Sequence, residues 1–236
     1  MIETNNIICD DCLKVMKTFK SESVDLILTD IPYGINYKSN KQNYDTRGKN
    51  PIRKNRNEYF KEIEGDEELP VDWLSEAYRV LKNNSAIYVF CHWSKWHILF
   101  NAVSSAGFKN KNMIVLNKSN HGMGDLKGSY APKHELLLFA TKGRHILSFP
   151  NKRQNDVWEV PVRYSGAKRF HPNEKPVSWL SPCIENSSNQ GDVVLDPFSG
   201  SGSTGVICKE LNRDFILIDI DPQHCKVAKQ RLNNKG

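Results

Sequence analysis

What this sequence lacks narrows it first. No apolar run approaches the ~18 residues of a membrane-spanning helix, and the mean hydropathy is −0.57. The opening MIETNNIICDDC has no basic stretch followed by an apolar one. That argues against a secretory leader, and an intracellular protein is expected. There is no internal repeat and no low-complexity tract. Cysteine is sparse: among Cys9, Cys12, Cys91, Cys183, Cys208 and Cys225, only the first two have metal-like spacing. A zinc site needs two more ligands, and no second close Cys/His pair supplies them. The expectation is free thiols in a reducing cytosol and no metal.

What is present suits one large domain spanning 1–236 with inserted segments. Hydrophobic residues make up 39% and charged residues 25%, enough for a core and too apolar for intrinsic disorder. Lys and Arg number 33 against 27 Asp and Glu, a net charge of +6. A moderately basic globular protein often meets a polyanion, although charge alone does not say which.

Apolar runs alternate with helical patterns, the signature of an α/β fold with a mostly parallel sheet. The expected strands are 24–29, 85–91, 113–116, 136–140, 193–196 and 215–219. They are short, β-branched and apolar, as strands buried on both faces should be. Helical patterns cover 12–18, 72–82, 95–106, a segment within 177–187, 204–211 and 222–232. Pro182 falls inside the fourth, so a late start is expected there, with Ser181 as N-cap and Pro182 at the first helical position.

Two regions break the alternation. Residues 36–57 carry Lys38, Lys41, Arg47, Lys49, Arg53, Lys54 and Arg56 against a single acid, Asp45, with Tyr37 and Tyr44 interleaved. The second runs from about 117 to 170 around the strand at 136–140, and includes Arg144, Lys152 and Arg153. A long basic stretch inside a compact domain is either a solvated loop or a functional one.

The most informative stretch is VVLDPFSGSGSTG, residues 193–205. A strand ends at Asp196, Gly200, Gly202 and Gly205 follow in G-x-G-x-x-G spacing, and a helical pattern begins at Thr204. Such glycines allow a tight turn and close approach of backbone to a ligand. The next strand ends at Asp219, where an acid can hold two ribose hydroxyls. The set points to an adenosine-containing cofactor. No G-K-[ST] follows the glycines, so a phosphate-cradling P-loop is excluded. Too little chain follows the turn for a dinucleotide fold, so the remaining strands must precede it. A cofactor without phosphates fits better, and S-adenosylmethionine is one.

The second stretch is VDLILTDIPYGINY, residues 24–37. An apolar strand ends at Asp30, followed by Ile31, Pro32 and Tyr33. The carboxyl end of a strand is where an open α/β sheet places its site. An acid, a rigid turn and an aromatic ring suit an exocyclic amino group on a base. That nitrogen is a poor nucleophile because its lone pair is delocalised into the ring. A carboxylate and a backbone carbonyl accepting its two hydrogens would localise the lone pair, while the ring stacks on a base withdrawn from the duplex.

These residues resemble the DNA amino-methyltransferases that modify adenine-N6 or cytosine-N4 with S-adenosylmethionine. Asp30-Ile31-Pro32-Tyr33 is similar to their [DNS]-P-P-[YFW] catalytic motif, with Ile31 in place of the first proline. Asp196-Pro-Phe198-x-Gly200-x-Gly202, with Thr204 beyond it, matches their cofactor motif. The segment from His171 through Lys175 to Pro176 resembles the one that wraps the methionine end of the cofactor. Asp219 falls at the ribose acid, and Asp11 at the position contacting the cofactor adenine, with Asp10 replacing the usual glycine. The resemblance therefore implies a Rossmann-like, circularly permuted fold, since the catalytic motif precedes the cofactor motif.

It further implies basic insertions touching double-stranded DNA: 36–57, 117–133 and 144–170, the last two as candidate target-recognition segments. It also allows a homodimer and a separately acting restriction nuclease, in the cytoplasm of a prokaryotic or phage-infected cell. Asp at the first motif position favours adenine, whereas Ser is commoner for cytosine-N4. RNA adenine-N6 methylation and a non-catalytic DNA-binding module are the other readings. Pro182-Cys183 is not a cytosine-C5 nucleophile pair: it precedes the cofactor turn, lies in a helical pattern and is followed by Ile184.

Overall fold

A computed structural model describes residues 3–34, 68–122, 127–149, 153–161 and 174–233. Among the described residues, eight strands form one sheet in the order β1-β8-β7-β2-β3-β5-β4-β6. They are β1 (Asn6–Cys9), β2 (Val24–Asp30), β3 (Leu81–Cys91), β4 (Lys109–Lys118), β5 (His134–Lys142), β6 (Val157–Val160), β7 (Val193–Asp196) and β8 (Asp214–Asp219). The first five in spatial order are parallel. β5 runs antiparallel to both β3 and β4, and β6 joins β4 in parallel.

The alternation of side chains along the central strands explains the layers. Leu26 and Leu28 of β2 with Ala86, Tyr88 and Phe90 of β3 face one way. There they meet α4 (Val177–Ser187), α5 (Ser203–Glu210) and α6 (Pro222–Asn233). Ile27, Ile87 and Val89 face the other way, against α1 (Cys12–Met16), α2 (Leu74–Val80) and α3 (Trp96–Ser105). Both faces are covered, which is why these strands read as continuous apolar runs.

The structure differs from the sequence reading in three places. The fourth helix does not start late: it begins at Val177, and Pro182 lies inside it. The missing N–H there forgoes the bond to the Ser178 carbonyl, which typically costs about 3 kcal/mol in a helix interior. Burial of Trp179, Leu180, Cys183 and Ile184 on one stripe outweighs that. β1 and β6 are strands the sequence reading did not include. Each has four residues, and each pairs along one side only, at an end of the sheet. Finally, α2 passes into β3 with no intervening loop, Leu81 serving as both helix C-cap and first strand residue. The buried Lys142 donates to the carbonyls of Tyr78, at 2.9 Å, and Leu81, at 2.7 Å, satisfying that junction.

Strand direction decides which edge carries chemistry. Asp30 is paired with Phe90 and Asp196 with Leu217, so the ends of β2, β3, β7 and β8 share one edge. The backbone at Gly34 also lies here: a Cβ added to it would sit 2.6 Å from the Glu68 carbonyl carbon. Residues 34 and 68 thus meet, so the chain leaves for 35–67 and returns at one point beside Tyr33.

Candidate active site

The turn after β2 brings acid and ring together. The Tyr33 hydroxyl donates to Asp30 Oδ1 at 2.9 Å. Burial, with the charges of Asp30 and Glu135, pushes the Tyr33 phenol well above its ordinary pKa, so it stays protonated and remains a donor. The ring of His92, just past β3, lies 6.2 Å from that of Tyr33, and Trp93 lies 5.5 Å beyond His92. Trp93 is 66% exposed, a large apolar ring left in solvent at the rim.

The turn after β7 is open on one side and packed on the other. Gly200 has φ +48°, and a Cβ there would meet nothing within 4 Å. Gly202 has φ +78°, and a Cβ there would lie 2.9 Å from that of Ala228 on α6. The first glycine leaves room above the turn, and the second lets α6 close beneath it. Asp219, ending β8, accepts from the Gly200 N–H at 2.7 Å through Oδ2. Its Oδ1 accepts from the Asp221 N–H at 2.9 Å and contacts His224 Nδ1 at 3.2 Å.

Asp196 and Thr204 hold this turn from below. The Asp196 carboxylate accepts from Thr29 Oγ1 at 2.7 Å, Thr204 Oγ1 at 2.6 Å and the Phe198 N–H at 3.2 Å. The acid therefore ties β2, β7 and α5 together. Burial first, despite these hydrogen bonds, raises its pKa to about 7. Phe198 packs edge-on against Trp73, their centroids 5.4 Å apart.

Glu174 and Lys175 connect the two turns. Lys175 Nζ lies 2.8 Å from Asp30 Oδ2 and 3.0 Å from the Tyr33 hydroxyl. Glu174 pairs at 2.8 Å with Arg231, whose other nitrogen donates to the Ser201 carbonyl at 2.7 Å. Burial opposes the Lys175 charge, but the Asp30 and Glu135 carboxylates prevail and raise its pKa. Adjacent side chains in one segment thus grip the Asp30–Tyr33 turn and the glycine turn.

The remaining expected site residues are dispersed. Asp11 caps α1, accepting from the Lys14 N–H at 2.8 Å. Ile31 is buried and Pro32 partly so. Arg144 is not brought to this edge: its N–H bonds Asn84 Oδ1 at 2.8 Å, at the opposite end of β3. Arg153 is exposed; its neighbour Gln154 accepts from Asn186, near the end of α4 remote from Lys175. Lys38, Lys41, Arg47, Lys49, Arg53, Lys54, Arg56 and Lys152 lie outside the described residues.

Sequence reasoning missed Glu135 and Lys118, which pair at 3.1 Å beside Lys175. Lone charges flanking apolar strands were the available signal. It also missed Glu174 and Arg231 as a pair. Among the described residues, no group of three or more His, Cys, Asp or Glu could hold a metal ion. Nor is any helix among them long and apolar enough to cross a membrane.

A sheet covered on both faces, with a glycine turn and an acid-tyrosine turn on neighbouring strands, defines a Rossmann-like cofactor-binding fold. The model of the DNA methylase family covering N6 and N4 enzymes matches residues 24–230. The chain belongs to that family. Type II methyltransferase M.HpaI of Haemophilus parainfluenzae is 32% identical over 249 residues, covering 97% of this chain and 74% of that protein. Type II methyltransferase M2.LlaDCHI of Lactococcus lactis subsp. cremoris is 31% identical, covering 94% and 87%. Among solved structures, the M1.HpyAVI-SAM complex superposes with TM-score 0.71 at 25% identity, covering 96% of this chain and 99% of that one. The cytosine-N4-specific PvuII DNA methyltransferase superposes with TM-score 0.75 at 15% identity, covering 100% and 89%, a likeness of fold.

The residues present fit S-adenosylmethionine. The space above Gly200 is open. The Ser199 hydroxyl is buried without a hydrogen-bond partner in this same turn. Asp219 Oδ2, which accepts from the Gly200 N–H, retains a second lone pair for a ribose hydroxyl.

Proposed function

We propose that this protein transfers a methyl group from S-adenosylmethionine to the N6 amino group of an adenine withdrawn from double-stranded DNA. The observation carrying this reading is the adjacency of β2 and β7, paired at Leu26 with Val194 and at Ile27 with Leu195. It puts the Asp30 turn and the glycine turn on one edge. Asp at the head of the catalytic turn supports adenine over cytosine.

Asp219 and the Gly200 turn would hold the adenosine end of the cofactor, with Asp11 and Phe198 flanking its adenine. When bound, S-adenosylmethionine supplies an electrophilic methyl on a sulfonium. The Tyr33 ring would stack on the target base. Asp30 and the Ile31 carbonyl would accept the two amino hydrogens and turn the nitrogen lone pair toward the methyl. The cofactor would supply the methyl carbon with its sulfur as leaving group, and Asp30 or water would take the proton that the nitrogen gives up. Positioning and electrostatics suffice, without a covalent enzyme intermediate. The basic segment 117–133, which joins β4 to β5 at this edge, would neutralise phosphates, in a permuted arrangement. Binding should then weaken steeply with added salt.

The test is to expose unmethylated DNA to the protein and cofactor and to sequence the modified bases. N6-methyladenine at a defined site is expected. N4-methylcytosine would overturn the choice of base, and no methylation would overturn the reading. Asp30→Ala should abolish transfer while leaving cofactor affinity nearly intact.

A further inference from the structure

Two carboxylates face the Lys175 ammonium. Asp30 Oδ2 is at 2.8 Å, whereas Glu135 Oε2 is at 4.0 Å. The nearer contact is a hydrogen bond, and the farther is a charge contact without one. Glu135 is secured through its other oxygen by Lys118, at 3.1 Å. The ammonium also lies over the faces of Phe90, at 5.1 Å, and Tyr33, at 5.3 Å.

An ammonium has three N–H donors and accepts nothing. On Asp30 it does what an exocyclic amino group must do there: it donates to the carboxylate beside the same ring. With Oδ1 accepting from Tyr33 and Oδ2 from Lys175, an arriving amino group meets a carboxylate already neutralised. A cation left there would also oppose the positive charge that grows on the nitrogen during transfer.

We infer that Lys175 is a two-position positioning residue: it caps Asp30 and Tyr33 while the base site is empty, and passes to Glu135 when an exocyclic amino group arrives. This rests on the methyl-transfer reading above. The move is short, since shortening the Glu135 contact by ~1 Å reaches hydrogen-bond length. Charge stays balanced within the cluster of Asp30, Glu135, Lys118 and Lys175. The move frees Asp30 as an anionic acceptor and uncovers a face of Tyr33 for the base. Glu135 becomes the residue that draws the lysine away.

This role predicts rescue, which a purely structural ion-pair network does not. Methyl transfer is measured with labelled S-adenosylmethionine and unmethylated bacterial genomic DNA. The proteins compared are wild type, Glu135→Gln, Glu135→Asp, Lys175→Met and the Glu135→Gln/Lys175→Met pair. Cofactor Kd is measured for each. Glu135→Gln should raise KM for DNA at least tenfold with cofactor Kd within twofold, and Glu135→Asp should recover most of the loss. Removing Lys175 makes Glu135 dispensable, so the double variant should return to the KM of Lys175→Met. A Glu135→Gln KM within twofold of wild type, or a double variant worse than Glu135→Gln, overturns the assignment. If Lys175→Met binds no cofactor, Lys175→Gln replaces it, and the Glu135→Gln and Glu135→Asp comparison decides alone. An inactive wild type removes the methyl-transfer reading and this inference with it. An active wild type without rescue removes only the inference.

Discussion

Arg231 and Glu174 pair at 2.8 Å with their side chains 6% and 2% exposed. Removing Arg231 takes a charge-assisted hydrogen bond from the buried Glu174 carboxylate, at a typical cost of ~1.5–3 kcal/mol. Arg231 also holds the Ser201 carbonyl and hydroxyl, at 2.7 and 2.9 Å. Arg231→Met should therefore lower thermal stability by that order and weaken cofactor affinity together. Thermal unfolding and calorimetric titration measure both. Loss of stability with unchanged affinity would show that the glycine turn does not depend on this clamp.

That clamp also shows where sequence reading stops. The strand ends at Asp30, Asp196 and Asp219 were legible because buried parallel strands are unbroken apolar runs with a polar residue at the exit. The glycine turn was legible because only glycine meets its backbone and packing demands. Glu174 with Arg231 and Lys175 with Asp30 were not, because their partners are 57 and 145 residues apart and no local pattern joins them. Pro182 misled because burial of one helix stripe overrode a local preference. Arg144 illustrates the same limit: its charge was visible, but strand direction, which puts it at the other edge, is a property of pairing.

Gly200 and Gly202 should respond differently to alanine. Both have left-handed backbones, so each substitution carries ~1–2 kcal/mol of strain. At Gly200 the new methyl enters open space, and at Gly202 it meets Ala228 at 2.9 Å. Gly200→Ala should mainly weaken cofactor affinity, and Gly202→Ala should mainly lower the melting temperature. Equal effects on both quantities would refute the division of labour.

Asp196 should make the fold less stable as pH rises. Burial lifts its folded pKa from 3.8 to about 7. An acid with a raised folded pKa contributes stability that is complete below its unfolded pKa and is lost as pH climbs through the folded one. Between about pH 4 and 7 the loss from this group is on the order of 4 kcal/mol. Asp196→Asn removes the titration, so its denaturant midpoint should change less over that window than the wild type's. Parallel pH profiles for the two proteins would show that the carboxyl does not titrate there.

On the proposed methyl-transfer reading Tyr33 has two separable functions: its ring stacks on the base, and its hydroxyl orients Asp30, to which it donates at 2.9 Å. A hydrogen bond to a charged group contributes ~1.5–3 kcal/mol, and stacking a base on an aromatic ring ~1–3 kcal/mol. Tyr33→Phe keeps the ring and loses the hydroxyl. It should lower kcat by roughly 10-fold or more, with KM for DNA near wild type. Tyr33→Ala loses both and should raise KM as well. Steady-state kinetics on the two variants separates the roles. A Phe variant with wild-type kcat would remove the hydroxyl from catalysis.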